Sequence, residues 1–248
     1  MSSVGSVSTP PMLKVPLLLA HAACTYHGLT PSTPLPKPEE QKRYDASEYV
    51  ARTMRTQLVL IGASKWVCCA VALTEAAAIL AQHFPSKISD RVLSALLSTH
   101  PGASFHLTPM STVACALGIA GGLIRIWCYR ALGQNFTWST SIQPKHKLGT
   151  GGPYAIVRHP SYAAWAVMML GNFALLLSKG SYVVESGWLQ RPFGKALVSA
   201  VIGYMSFVTF TLIAFRTRLE DEILKEEFGE EWEEWAKRTP YRLIPYIY

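Results

Sequence analysis

Residues 196–222 have the sequence ALVSAVIGYMSFVTFTLIAF-RTRLEDE, and this stretch decides the fold. The segment from Ala196 to Phe215 carries no charged residue, and an α-helix of roughly 20 residues is long enough to cross a bilayer. A block of charged residues begins directly afterwards, at Arg216. Because a helix satisfies its own backbone hydrogen bonds inside lipid, this segment is predicted to be a transmembrane helix that ends at a polar surface.

Further apolar stretches of similar character precede this one along the chain. They are Met12–Tyr26, Leu58–Ala81, Thr112–Tyr129 and Tyr162–Leu177. The first is short and contains Lys14 and His21, so the core of a signal peptide is an alternative interpretation of it. The third contains Gly118, Gly121 and Gly122, which allow neighbouring helices to approach closely.

The composition agrees with a membrane protein. Half of the residues are hydrophobic and 16% are charged, whereas soluble domains carry about 25% charged residues. The formal net charge is +7, and the basic residues lie between the apolar segments, which is typical of loops that face anionic lipid rather than nucleic acid. The five cysteines form no C-x-x-C pair and no metal-ligand spacing, so neither a disulfide framework nor a metal site is predicted.

The predicted fold class is an all-α polytopic membrane protein with about five transmembrane helices. No G-x-G-x-x-G motif follows a strand pattern, so no Rossmann domain is expected. Residues 1–110 are interpreted as an N-terminal membrane region with two spans and a polar linker, and residues 111–248 as a C-terminal core. The tail from Arg216 onward is predicted to form an amphipathic helix, and the distribution of Lys and Arg places it in the cytosol.

Two polar clusters flank the last two predicted spans. The first contains Gln143, His146, Lys147, Gly151-Gly152-Pro153-Tyr154 and Arg158-His159-Pro160-Ser161-Tyr162. Pro160 fixes a helix start, and a helix N-terminus favours anionic groups. An ordinary loop with helix caps is the alternative interpretation of this cluster.

The second cluster begins where the last span ends. It contains Arg216, Arg218, Glu220, Asp221 and Glu222. Arg216 and Glu220 are four residues apart and share one helix face. A solvated face with surface ion pairs is the alternative here. Both clusters are predicted on the same side of the membrane, where a site between them would meet a water-soluble cofactor and a lipid-borne substrate together.

These two clusters resemble the isoprenylcysteine carboxyl methyltransferase family. The resemblance rests on the runs His146–Tyr154 and Arg158–Tyr162, and on the tail residues Arg216, Glu220-Asp221, Leu224, Phe228-Gly229, Trp232, Trp235, Pro240 and Ile244-Pro245. It covers about residues 123–247. The chain departs from the family's pattern mainly at Lys179–Lys195, an insertion between the last two spans for which the sequence gives no role.

The resemblance implies S-adenosyl-L-methionine as the cofactor and a prenylated protein or prenylcysteine as the substrate, at the cytosolic face of the endoplasmic reticulum membrane. It implies cofactor contacts at Gln143, His146, Lys147, Leu148, Gly149, Tyr154, His159, Pro160, Ser161, Tyr162 and Glu220. It implies that Arg216 binds the substrate and, with Glu220, is catalytic. Membrane lipid is the expected surrounding, and neither nucleic acid nor metal is an expected partner.

Other functions are left open by the residues. A methyltransferase of the same fold that acts on a small lipid or a terpenoid acid would share both clusters. Membrane sterol reductases, which are oxidoreductases, have a similar C-terminal architecture. A membrane scaffold without catalytic activity is a further alternative.

Overall fold

The computed structural model describes residues 11–30, 48–98, 100–136 and 147–247, and these ranges form helices and loops without a β-strand. The α-helices within them are α1 (Lys14–Gly28), α2 (Glu48–His83), α3 (Lys87–Leu96), α4 (Pro109–Leu132), α5 (Pro160–Leu177), α6 (Tyr182–Glu185), α7 (Pro192–Thr211), α8 (Thr217–Phe228) and α9 (Glu230–Arg238). The predicted all-α class is therefore confirmed.

Within the described residues, four helical segments are long and apolar enough to cross a membrane. They are Thr56–His83, Pro109–Asn135, Pro160–Glu185 and Pro192–Phe228. They correspond to four of the predicted spans. The remaining one, α1, has 15 residues and is therefore about 22 Å long, which is shorter than a typical membrane-spanning helix. Its crossing of the membrane stays a prediction.

Helix α1 packs against α2 and α4, and polar groups on its buried face tie it to its neighbours. His21 Nε2 lies 3.2 Å from Asn172 Oδ1 on α5. At the start of α1, Lys14 Nζ lies 2.5 Å from Glu75 Oε1 on α2, and both side chains are fully buried. Buried polar groups need partners in an apolar interior, so these contacts specify how α1 sits in the bundle. The division into two regions at residue 110 remains a prediction, and α1 packs across it.

Small residues let α1, α4 and α5 approach closely, as the sequence predicted. A Cβ atom added to Gly121 would lie 2.6 Å from the Ala164 carbonyl oxygen, and one added to Gly122 would lie 2.6 Å from the Cys24 carbonyl oxygen. A Cβ atom on Gly118 would collide with the His21 ring. Each glycine therefore lies where a neighbouring helix occupies the space of a side chain.

Arg125 joins the end of α1 to the start of α5. Its Nε donates to the Gly28 carbonyl oxygen at 2.6 Å, and its Nη1 donates to the Ser161 carbonyl oxygen at 3.0 Å. The Tyr129 hydroxyl also donates to the Gly28 carbonyl, at 2.6 Å. The last carbonyl groups of a helix lack partners within it, and Arg125 satisfies one of them while fixing where α5 begins.

The Lys179–Lys195 insertion packs into the bundle. Tyr182 and Val183 of α6 are buried, and the Tyr182 amide donates to Glu75 Oε2 at 2.8 Å. Lys14 Nζ donates to the Gly180 carbonyl oxygen at 2.8 Å. The insertion therefore helps to bury the Lys14–Glu75 ion pair.

The predicted single tail helix is instead two helices, which is a correction to the sequence analysis. A π-helical turn, Leu212–Arg216, follows α7 and leads into α8, and Gly229 separates α8 from α9. Gly229 has a φ of +50°, a left-handed conformation that glycine adopts without steric cost. The break allows α9 to turn back and pack Trp235 against the loop that precedes α5.

Candidate functional site

The centre of the candidate site is the carboxylate of Glu220, in the first turn of α8. Arg216 Nε donates to Glu220 Oε1 at 3.1 Å, and the Tyr162 hydroxyl from α5 donates to the same oxygen. The side chains of Arg216 and Glu220 are each 23% exposed, so an approaching ligand can reach both. Arg216 ends the π-helical turn, and such turns occur frequently at functional sites. The two sequence clusters therefore meet at Glu220.

His159 lies between two carboxylates. Its Nε2 is 3.0 Å from Asp221 Oδ1, and its Nδ1 is 3.5 Å from Glu220 Oε2. Burial alone lowers the pKa of His159, but hydrogen bonds with Asp221 and Glu220 outweigh burial and raise that pKa above its ordinary value. The ring also stacks on Tyr162, with 5.8 Å between ring centroids. The arrangement favours a protonated imidazole with one N–H directed at each carboxylate.

The C-terminal tail docks on this cluster. Arg242 Nε lies 3.0 Å from Asp221 Oδ2, and Arg158 Nη2 lies 3.5 Å from the same oxygen. The backbone is paired as well, since the Arg158 amide donates to the Tyr241 carbonyl at 2.9 Å and the His159 amide donates to the Arg242 carbonyl at 2.8 Å. The segment after Pro240 is therefore part of the candidate site.

The cluster carries more positive than negative charge. The guanidinium groups of Arg158, Arg216 and Arg242 contact the carboxylates of Glu220 and Asp221. His159, when protonated, adds to this excess. A surplus of positive charge in a partly buried site attracts an anionic ligand.

A set of aromatic side chains packs together beside the charged cluster. The Trp235 indole N–H donates to the Tyr154 carbonyl oxygen at 3.2 Å, and both rings are buried together with Cys128, while Leu148 and Trp232 pack against them. Burial raises the pKa of the Tyr154 hydroxyl well above its ordinary value, so this hydroxyl stays protonated. Trp232 Nε1 is buried, and no hydrogen-bond acceptor for it lies among the described residues.

The other predicted site residues occupy varied positions. Pro160 is the first residue of α5, and Lys147 is exposed. Gly149 lies against Leu132, since an added Cβ atom would collide with the Leu132 side chain. The Ser161 hydroxyl accepts from Arg125 Nη1 at 3.2 Å and so faces α4 rather than Glu220. Gln143 and His146 lie outside the described residues.

Some residues of the cluster have no role in the sequence-based site prediction. Arg158 and Asp221 belong to the predicted polar clusters. Their contact with each other could not be predicted from the sequence, because it forms between residues that are distant in the chain and meet only in the folded protein. Arg242 follows Pro240 in a segment with no helical periodicity, so no spacing links it to α8. Among the described residues, no group of three or more His, Cys, Asp or Glu side chains is placed to hold a metal ion.

Comparison with known proteins gives relatives of two kinds. The model of the isoprenylcysteine carboxyl methyltransferase (ICMT) family matches residues 113–187. A protein-S-isoprenylcysteine O-methyltransferase B from Arabidopsis thaliana is 26% identical over 208 residues, which cover 82% of this chain and 88% of that protein. A probable protein-S-isoprenylcysteine O-methyltransferase from Oryza sativa subsp. indica is 28% identical over 140 residues, covering 56% of this chain and 62% of that protein.

A shorter similarity leads to a different class of enzyme. A Delta(14)-sterol reductase from Mus musculus is 30% identical over 103 residues, which cover 41% of this chain and 20% of that protein. No solved structure matches the chain significantly.

Proposed function

We propose that this chain methylates the carboxylate of a C-terminal isoprenylated cysteine, with S-adenosylmethionine as the methyl donor. The chain belongs to the isoprenylcysteine carboxyl methyltransferase family, as its sequence indicated. The observation that carries the proposal is the Arg216–Glu220 pair, which is partly exposed where the last apolar segment ends. There an arginine fork can hold a carboxylate, and a neighbouring carboxylate can face a cation.

The described residues fit the proposed cofactor. S-adenosylmethionine would supply an electrophilic methyl group on a sulfonium ion. Glu220 offers negative charge to that cation, and the Tyr162 and Tyr154 rings provide aromatic surface nearby. Arg158 offers positive charge to a carboxylate of the cofactor, and the buried Trp232 indole N–H offers a donor to an acceptor on its adenosine part.

The proposed reaction needs no general base. A C-terminal carboxylate has a pKa of about 3.5 and is ionised at neutral pH, so no proton must be removed before it attacks. Arg216 would orient this carboxylate, and Glu220 would fix Arg216 through their 3.1 Å contact. The work of the chain's residues is then to position the acceptor and to exclude water, rather than to transfer a proton.

A substrate with a lipid chain suits the surroundings of the site. Phe215 and Leu219, which flank Arg216 and Glu220 in sequence, are 64% and 48% exposed, as expected for side chains that face lipid. A prenyl chain could therefore remain in the membrane while its carboxylate reaches Arg216. We place the site at the cytosolic face of the endoplasmic reticulum membrane, where it would act on prenylated CaaX proteins after their processing.

The direct test uses the full chain in nanodiscs. The protein is incubated with radiolabelled S-adenosylmethionine and N-acetyl-farnesylcysteine, and base-labile methyl ester is counted. We expect ester from the wild type, and its loss in Glu220→Ala with a parallel loss of cofactor binding. The matched control is Glu226→Ala, because Glu226 is exposed on the same helix and should retain activity. A folded wild type that binds no S-adenosylmethionine would exclude the proposed reaction.

The similarity to sterol reductases supports a second candidate, an oxidoreductase that uses a nicotinamide cofactor. Calorimetry with reduced nicotinamide dinucleotides and with S-adenosylmethionine separates the two classes. If S-adenosylmethionine binds but farnesylcysteine is not methylated, the acceptor would instead be a small lipid or a terpenoid acid.

A further inference from the structure

Asp221 is nearly buried between two other chain segments, the Arg158-His159 pair before α5 and the C-terminal tail. It contacts His159 of the α5 start at 3.0 Å, Arg242 of the C-terminal tail at 3.0 Å and Arg158 at 3.5 Å. Its side chain is 6% exposed, whereas that of Glu220 is 23% exposed. A ligand that reaches Glu220 therefore meets Asp221 only through intervening residues.

We propose that Asp221, held by Arg242 and Arg158, is a positioning residue that fixes the His159 ring so that its Nδ1–H is directed at Glu220. Oδ1 of Asp221 takes the Nε2–H of His159, while Oδ2 takes the two guanidinium groups. With Nε2 anchored, Nδ1 faces Glu220 Oε2 at 3.5 Å. A carboxylate behind a histidine sets the orientation and the protonation of its ring in this way.

The charge on His159 then controls how strongly Glu220 is held. Glu220 and Asp221 of α8 face the ring directly, and Tyr162 stacks on it from α5. The positive groups nearest to this set are Arg158, Arg216 and Arg242, each of which contacts one of the two carboxylates. The two carboxylates affect the protonation of the His159 ring more strongly than these cations do, because the carboxylates contact the ring directly. Removing the charge of Asp221 should therefore favour the neutral imidazole.

The experiment measures the protonation of His159 without any turnover. Hydrogen–deuterium exchange at the imidazole C2 position, followed by mass spectrometry, gives the pKa of a chosen histidine in the folded protein in nanodiscs. We compare the wild type with Asp221→Asn and Asp221→Glu, and Glu226→Gln is the control. In Asp221→Asn we expect the pKa of His159 to fall by about 1 unit or more, since a carboxylate within 4 Å shifts a pKa by that amount. Asp221→Glu should keep it raised, and Glu226→Gln should match the wild type.

Methyl transfer provides the second measurement, which rests on the proposed function. With Asp221→Asn, kcat/KM should fall at neutral pH and recover as the pH is lowered, because His159 is protonated again. A merely structural role would lower activity equally at every pH. An unchanged pKa of His159 in Asp221→Asn, or an equal shift in Glu226→Gln, overturns the proposal.

The possible failures can be told apart. If neither the wild type nor any variant transfers a methyl group, but the pKa of His159 falls in Asp221→Asn as expected, the proposed function fails and the positioning role stands. If Asp221→Asn does not fold, the pKa of His159 measured in the wild type tests the proposal instead. A value at or below about 6.5 would contradict the arrangement.

Discussion

Tyr162 and Glu220 lie 58 positions apart in the chain, and the Tyr162 hydroxyl donates a hydrogen bond to the Glu220 carboxylate. This bond links the first turn of α5 to the first turn of α8. The two sequence clusters thus become one site through a contact between side chains that approach only after the last two apolar helices have packed.

Replacing Tyr162 by Phe removes this bond and leaves Glu220 with Arg216 and His159 as its partners. A hydrogen bond to a charged group contributes about 1.5–3 kcal/mol, so we expect S-adenosylmethionine to bind roughly 10- to 150-fold more weakly. Calorimetry on the purified protein measures this. Tyr204→Phe is the control, because the Tyr204 hydroxyl donates to the Gln57 carbonyl at an exposed position. Equal affinities in wild type and Tyr162→Phe would contradict the role of Tyr162.

Arg216→Ala should lower methyl transfer on the order of 100-fold, since it removes the group proposed to orient the acceptor carboxylate. The affinity for S-adenosylmethionine should change little, because Glu220 keeps Tyr162 and His159 as partners. Arg218→Ala is the matched control, since Arg218 is exposed on the same helix. Transfer rates and cofactor affinities of both variants are measured in parallel, and normal turnover in Arg216→Ala would exclude this role.

The sequence predicted the parts of the fold that depend on local composition. Apolar length identified the four candidate membrane helices, and glycine spacing identified the close approach of α4 to its neighbours. The sequence also placed Arg216 and Glu220 on one face, because a helical turn fixes that relation without tertiary information.

The remaining features depend on contacts between distant segments. The contact of Arg242 with Asp221 arises from the chain turning at Gly229 and again after Pro240, and no periodicity records it. Similarly, Lys14 and Glu75 are 61 positions apart in the numbering and pair only when α1 packs on α2. Such pairings follow from tertiary packing, which local patterns do not encode.

The stability of the protein should depend on pH through His159. Its folded-state pKa lies above the unfolded value of about 6.5, so the stabilisation is fully present below about pH 6.5 and is lost as the pH rises through the folded-state pKa. We expect the wild type to have a higher melting temperature than His159→Gln at low pH, and the difference to shrink as the pH rises. A difference that stays constant with pH would contradict a charged His159 in the folded state.

Removing only one charge of the Lys14–Glu75 ion pair should lower the free energy of unfolding substantially. Both groups are fully buried, so Glu75→Gln leaves the Lys14 ammonium without a counter-charge at 2.5 Å and should destabilise the fold by about 3–5 kcal/mol. The double variant Lys14→Met/Glu75→Gln removes both charges, while the amide oxygen of the new glutamine side chain can still accept from the Tyr182 amide, and it should recover much of that loss. Denaturant unfolding in detergent measures both, and additive losses would show that the two charges are not coupled.

Gly171 on α5 should tolerate no side chain, because α4 occupies the space. A Cβ atom there would lie 2.6 Å from the Ala114 carbonyl oxygen and would collide with the Gly118 backbone. Backbone atoms cannot rotate away, so the two helices must separate, and overpacking of this kind costs about 1–3 kcal/mol. Gly203→Ala on α7 is the matched control, since nothing lies within 4 Å of its added Cβ atom.

Two measurements distinguish a local loss from one that reaches the site. Gly171→Ala should lower the melting temperature and also weaken S-adenosylmethionine binding, because α5 carries Pro160 and Tyr162 at its start. Gly203→Ala should match the wild type or stabilise it by about 0.4–1 kcal/mol through the lower entropy of the unfolded chain. If Gly171→Ala had the same melting temperature as Gly203→Ala, α4 and α5 would not pack closely enough at Gly171 to exclude a side chain.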